Sequence, residues 1–193
     1  MRRQIPWIRV VRGGIGVRTL GSHPADAVLL SLGLGGGLTA DLEPGTVVVP
    51  AVIGNEHGDR WSCDPVWAGA LRDAAQRLGL PVAAGALVAT ERIVTGRARA
   101  TWAAQGYSAA DMESATVAGR AARAVALRVI LDTPAHEISP RWRHPAGAFI
   151  DPRLWGQGVR LMRSAPRFAN RAALVLAETL RGQAVQGDVH AQV

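Results

Sequence analysis

Short apolar runs alternating with helical periodicity constrain this chain more than any other feature. Ile8–Val11, Ala27–Gly33, Gly45–Ile53, Pro81–Ala89 and Ala126–Asp132 each carry four to nine mostly apolar residues. Between them lie stretches with apolar residues at helical spacing. That alternation is the pattern of an α/β domain. Apolar residues on both faces of these runs predict buried central strands. Pro50 cannot donate to a ladder, so the run that contains it is predicted at an edge or a bulge.

The helical stretches have clear limits. Asp64-Pro65 reads as an N-cap with a first-turn proline, Trp67, Leu71, Ala74 and Leu78 recur at helical spacing, and Gly79 closes the helix. A second helix is predicted to open at Asp111 and run past Val117 and Ala121. An abbreviated helix falls between Ile15 and Ala25. Leu154–Leu180 reads as helical with a break near Ser164-Ala165-Pro166. The chain divides into a core over residues 1–137 and a basic, Trp/Arg-rich helical tail over 138–193, packed on the core or flanking it.

Composition excludes several chemistries. All 22 basic residues are arginine, so there is no Schiff-base lysine and no P-loop lysine. Cys63 is the lone cysteine, so no intrachain disulfide forms, which fits a reducing cytoplasm. No apolar run approaches the ~20 residues of a membrane span. The formal charge of +7 is uneven: residues 1–20 hold five Arg and no acid, and residues 138–182 hold eight Arg against Asp151 and Glu178. Such a surface suits phosphate-bearing ligands, anionic lipid or nucleic acid, or is simply a solvated face. No nucleic-acid-binding motif is present, and one Tyr with two Phe gives little surface for base stacking. Nucleic acid is therefore not expected as a partner. Glu56, His57 and Asp59 form the one local cluster of potential metal ligands, without a recognisable zinc spacing, and no metal is expected. His136 and Glu137 follow Asp132 closely.

Three segments can carry chemistry. Ser31–Leu38, SLGLGGGL, reads as a glycine loop after a strand, where backbone amides can approach a ligand, or as a tight turn. It is not the dinucleotide fingerprint, because Leu38 stands where the third glycine belongs. Asp111-Met112-Glu113-Ser114 opens a helix, where acids also serve as dipole complements. Asp132 ends an apolar strand, where α/β ligand sites form, or caps the next segment.

In order, GLGGGL, LEPGTVVVP, ADMESATVAGRAAR and RVILD resemble the nucleoside phosphorylase and methylthioadenosine nucleosidase superfamily. The resemblance runs from about Ile8 to Asp132. It implies a three-layer α/β/α fold with a mixed, mostly buried central sheet, shortened at the N-terminus. It also implies cleavage of a purine N-ribosyl bond, by phosphorolysis or hydrolysis. Glu113 then corresponds to the carboxylate that binds the ribose hydroxyls, and Met112 to the side chain packed against the sugar. Asp132 corresponds to the acid facing the departing purine. Gly35 and Gly36 lie beside the sugar, Ile93 stands at the base-stacking position, and Asp111 belongs to the same binding turn. No cofactor is implied, although phosphate can serve as co-substrate, and a homo-oligomer is implied.

Within the superfamily the chain resembles the hopanoid-associated phosphorylases, implicated in releasing adenine from adenosylhopane. The short SLGLGGGLTADLEPGTVVVP segment and the tail DPRLWGQGVRLMRSAPRFANRAALVLAETL carry this likeness. Trp142, Phe149, Leu154, Trp155, Leu161, Met162 and Phe168 interleave with arginines in that tail. This pattern suits either a peripheral membrane dock or a helix packed on the core with Arg facing water. Three features depart from the superfamily pattern. Residues 1–20 lack the acid of its first loop, Ser31 replaces a phosphate-binding Arg, and the helix before Ala25 is short. Arg12 and Arg92 are the alternative phosphate ligands nearest in sequence. The departures leave open a catalytically weak, nucleoside-binding or scaffold role.

Overall fold

The computed structural model describes residues 9–11, 20–139 and 155–190. Its elements are β1 (Val28–Gly37), β2 (Val47–Val48), β3 (Val52–Asn55), β4 (Arg60–Ser62), α1 (Pro65–Arg77), β5 (Val82–Ala83), β6 (Ala86–Ala89), α2 (Arg97–Ala104), β7 (Tyr107–Asp111), α3 (Ser114–Ala118), β8 (Arg123–Asp132) and α4 (Trp155–His190). The strands form one eight-stranded mixed sheet in the order β4-β3-β6-β7-β1-β8-β2-β5, flanked by the helices. The expected α/β class holds.

β8 is the spine. Residues 124–130 are buried without interruption, so both faces of the strand are covered. Its parallel partner β1 matches it from Val28↔Arg123 to Gly35↔Ile130, after which the register shifts so that Gly36 faces Asp132. Val125, Leu127, Val129 and Ile130 are wholly inaccessible and share a core with Val47, Val48, Leu71, Leu87 and Val175. Each such side chain removed from water contributes on the order of 1.5–3 kcal/mol before entropy is counted.

The sheet curls. Only residues 49–51 separate β2 from β3, yet these strands lie near opposite ends of the sheet order. They form one bent strand running beside another, β5–β6. The pairs Val47↔Val82 and Val52↔Ala86 are joined through hydrogen bonds from Val49 N to Ala83 O and from Ala51 N to Gly85 O. Pro50 and Gly85, whose φ of 142° suits only glycine, mark the bends. The bulge expected at Pro50 is thus a bend that turns the chain from one part of the curled sheet to another.

Helix α1 forms as its signals predict. Asp64 accepts from Trp67 N at 3.0 Å, and Leu71, Ala68, Ala74 and Ala75 face the core. Gly79 takes φ 66° just beyond the end. Helix α4 packs on α1, β8 and β1 and buries Phe168, Ala172, Val175 and Leu180.

Several expected elements differ. The glycine run is no loop: Gly33 to Gly37 continue β1, because pairing with β8 offsets the poor strand propensity of glycine. Asp111 ends β7 instead of opening a helix, and α3 starts at Ser114 and ends at Ala118, short of Ala121. Pro166 does not break α4; anchoring of Phe168, Ala172 and Val175 on the sheet offsets the lost hydrogen bond. Arg9–Val11 have no strand partner, and residues 20–24 carry no helix. Strands β4 and β7 and helix α2 fall outside the sequence reading. The rest of the two N-terminal elements, together with Arg12, Trp142, Phe149, Leu154 and the side chain of Trp155, lies outside the described residues.

Candidate active site

Strands β1, β6, β7 and β8 end around one cavity of about 610 Å³, a volume typical of small-molecule sites. All seven residues singled out from the sequence line it: Gly35 and Gly36 at the end of β1, Ile93 after β6, Asp111, Met112 and Glu113 between β7 and α3, and Asp132 at the end of β8. Glu113 and Asp132 therefore share one cleft. The rest of the wall is largely aliphatic. Leu34, Leu38, Val94 and Leu131 come from the core, Ile138 from the segment after β8, and Leu161, Met162, Ala165 and Pro166 from α4. The helix of the tail is thus part of the cavity wall, so the boundary at residue 138 does not separate the site from it.

The turn that presents Glu113 is built on Asp111. Asp111 Oδ1 accepts from the amides of Glu113 and Ser114 at 3.3 Å, and Oδ2 accepts from the Ser114 hydroxyl. The Asp111 side chain is wholly buried, and its charge is met by Arg128 NH2 at 2.5 Å. Arg128 also donates to Ser31 Oγ at 2.6 Å, Ser31 O at 2.7 Å and Ser114 Oγ at 3.0 Å, and lies 4.0 Å from Glu113 Oε2. Ser31, the position at which a phosphate-binding Arg was looked for, is therefore a buried hydrogen-bond partner of an arginine from the neighbouring strand. Sequence reasoning passed over Arg128, although an arginine inside the run ALRVILD was itself a signal. A buried guanidinium requires an acid beside it.

A second buried arginine, Arg99 of α2, was also missed. Its NH2 donates to Asp132 Oδ2, its NH1 to Gly37 O, and its Nε lies 3.1 Å from Glu137 Oε1. Ile138 N donates to the same Oδ2 at 3.2 Å. Glu137 in turn accepts from Gly96 N at 2.6 Å, where the chain enters α2. No sequence signal marked Arg99, because GRARATW reads as a solvated helix start. Burial pushes the Asp132 carboxyl above the ordinary carboxylate range, even though the Arg99 guanidinium and the Ile138 amide pull the other way.

The glycines make these two clusters possible. A Cβ on Gly36 would lie 2.9 Å from Asp132 Oδ1 and 3.4 Å from Arg99 NH1. A Cβ on Gly35 would meet Ala110 O at 3.0 Å and the Arg128 Cβ at 3.3 Å. The glycine run serves close approach by buried side chains across a strand, where the sequence suggested a loop bringing backbone amides to a ligand, or a tight turn.

Among the other candidates, Arg92 lines the cavity. Glu56 accepts from Glu91 N at 2.8 Å, and Asn55 ties the turn around His57 and Asp59. These contacts make the Glu56–Asp59 segment a structural turn. Among the described residues no group of acids, His and Cys is placed to hold a metal ion.

Comparison with known proteins bears on the fold. The fold resembles 5'-methylthioadenosine/S-adenosylhomocysteine nucleosidase from Neisseria meningitidis, solved with methylthio-immucillin-A. The TM-score is 0.61 and the identity 18%, over 79% of this chain and 68% of that one. It also resembles futalosine hydrolase from Helicobacter pylori (TM-score 0.59, 16% identity, 79% and 67% of the two chains). A third relative is S-adenosylhomocysteine nucleosidase from Streptococcus pyogenes (0.60, 14%, 80% and 67%). At such identities the likeness is one of fold. No curated protein matches the chain by sequence. Residues 17–180 match the family model described as the phosphorylase superfamily, which takes in β1, β8, both buried arginines and most of α4. The chain belongs to the phosphorylase superfamily.

Proposed function

We propose that this protein cleaves the N-ribosyl bond of an adenosine derivative that carries a large apolar group on its 5' carbon, adenosylhopane being the substrate of choice. The observation that carries the reading is the composition of one cavity. Two carboxylates, Glu113 from the turn after β7 and Asp132 from the end of β8, line it together with apolar side chains of α4. Breaking the bond leaves positive charge on the sugar and a pair of electrons on the base. Glu113 accepts hydrogen bonds from the ribose hydroxyls and stabilises the cationic sugar. Asp132 gives its proton to the five-membered ring of the leaving purine, and its raised pKa suits that role. Water or phosphate then captures the sugar, with Arg92 at the cavity as a partner for phosphate. Met112 packs against the sugar and Ile93 against the base.

The apolar wall supports the 5' group. Leu161, Met162, Ala165 and Pro166 lead from the cavity to the surface, where Met162 is 60% exposed. Val159, Met162, Arg163, Pro166 and Arg167 follow at helical spacing and are all exposed. An apolar stripe beside arginines suits contact with the surface of an anionic bilayer, from which such a substrate would enter.

Adenine release, followed by chromatography on a series of 5'-substituted adenosines, tests this reading. The rate constant kcat/KM should rise with the apolar area of the substituent, and ribose 1-phosphate or free ribose identifies the nucleophile. Equal rates for adenosine and for long-chain 5' derivatives would remove the lipid part of the proposal. Tight adenine binding by calorimetry without any turnover would favour a binding role instead.

A further inference from the structure

Asp132 accepts two hydrogen bonds among the described residues, from Arg99 NH2 and from Ile138 N, and both fall on Oδ2. The other oxygen, Oδ1, lies over Gly36, a residue of the cavity wall whose missing Cβ leaves room beside it. Arg99 is itself held at three points: Asp132, the Gly37 carbonyl and Glu137. It is 2% exposed, so it has no water to turn to. Glu137 is one-third exposed and tied to Gly96 N at the start of α2.

We infer that Arg99 is a positioning residue: it clamps Asp132 by Oδ2, leaves Oδ1 as the oxygen offered to a bound base, and is shared with Glu137. This rests on the reading of Asp132 as proton donor and deepens it. When the C1'–N bond breaks, its electron pair goes to the base. A ring nitrogen takes the proton from Oδ1, and Asp132 becomes a carboxylate beside Arg99. The guanidinium thus stabilises the acid after it has given up its proton. An undivided guanidinium would also hold the proton too loosely beforehand. Glu137 prevents that by drawing on the same charge. The other charged groups around the cavity are Arg92, Glu113 and Asp111 with Arg128 beneath it, and Arg160 of α4 donates to His136 O at 3.5 Å in the segment after β8.

Opposed variants of the full-length protein test the device. Carbon-13 NMR of labelled aspartate, assigned with Asp132→Asn, reads the titration of Asp132, and the pH profile of adenine release reads its use. In Arg99→Gln the titration should move up by about one pH unit or more, because a cation is lost. In Glu137→Gln it should move down, because the guanidinium is no longer shared. The alkaline limb of kcat should follow each shift, and Arg99→Lys should recover part of the loss. A purely structural Arg99 would lower activity without moving the limb. The inference is overturned if Glu137→Gln leaves the titration in place, or if both variants move it the same way. Should Arg99→Gln fail to fold, Arg99→Lys and Glu137→Gln carry the same test. Titrations that move as stated while Asp132→Asn cleaves at the wild-type rate would retain the clamp and reject the proton-donor reading.

Discussion

Among the described residues two buried arginine–aspartate pairs lie at the end of the sheet that borders the cavity, and they differ in what they leave over. Arg128 and Asp111 close on each other. Asp111 has both oxygens engaged by Arg128, Ser114 and two amides, and its side chain is wholly buried. Arg99 and Asp132 remain open on one side, with Oδ1 over a cavity-lining glycine and the guanidinium shared with Glu137, which is one-third exposed. The same residue types at neighbouring strand ends therefore do different work. A pair whose acid has both oxygens engaged fixes a turn, and a pair with one acid oxygen over and one partner nearer the surface is the one that would exchange a proton in the proposed reaction.

The largest effect should fall on the open pair. Asp132→Asn should lower adenine release by about 10²–10⁴-fold, the usual worth of a positioned acid, with the circular dichroism spectrum unchanged. A wild-type rate in this variant would end the distinction between the two pairs. The sign of the pH effect follows from the raised pKa of Asp132. A buried acid that binds its proton more tightly stays a donor further into the neutral range, and activity falls as pH rises through that raised value.

Next comes the closed pair. Arg128→Met strands Asp111 as a buried charge and should cost about 3–5 kcal/mol of stability, measured by urea unfolding. A loss below about 1 kcal/mol, the range of surface pairs, would show that Arg128 is not the anchor of the Glu113 turn.

The smallest effect belongs to a third pair, Asp64 with Arg123, at 2.7 Å and with the arginine half-exposed. Burial raises the Asp64 carboxyl, but the Trp67 amide and Arg123 outweigh it, and its pKa lies below the ordinary value. Its stabilisation is therefore present above the unfolded pKa and lost as pH falls through the folded one. Asp64→Ala removes an N-cap and should cost about 1 kcal/mol at neutral pH, with the difference from wild type shrinking in acid. A difference that grows in acid would reverse the sign assigned here.

Much of the site was legible because strand ends are legible. ALRVILD is a buried run that stops at an acid, so Asp132 could be placed at the rim of a sheet before any coordinates, whereas Glu113 was read at a helix start and singled out by the resemblance of DMES to the superfamily motif. The arginines opposite them were harder. Arg128 carried a faint signal, a charge within an apolar strand. Arg99 carried none, since a helix beginning Arg97-Ala98-Arg99 looks the same whether its third residue faces water or a buried aspartate. The glycine run was read as a loop letting backbone amides approach a ligand, whereas it is a strand whose lack of side chains is used by buried neighbours.

Hydrophobic periodicity and capping residues determined the α/β class and helix α1, because these depend on local spacing along the chain, and the resemblance of four motifs to the superfamily pointed to the residues that meet in the cavity. The curl of the sheet, the continuity of α4 through Pro166 and the partners of Arg99 and Arg128 were decided by tertiary structure alone. Each depends on groups far apart in sequence, and burial turns a residue that would be solvated into one that must find its opposite charge.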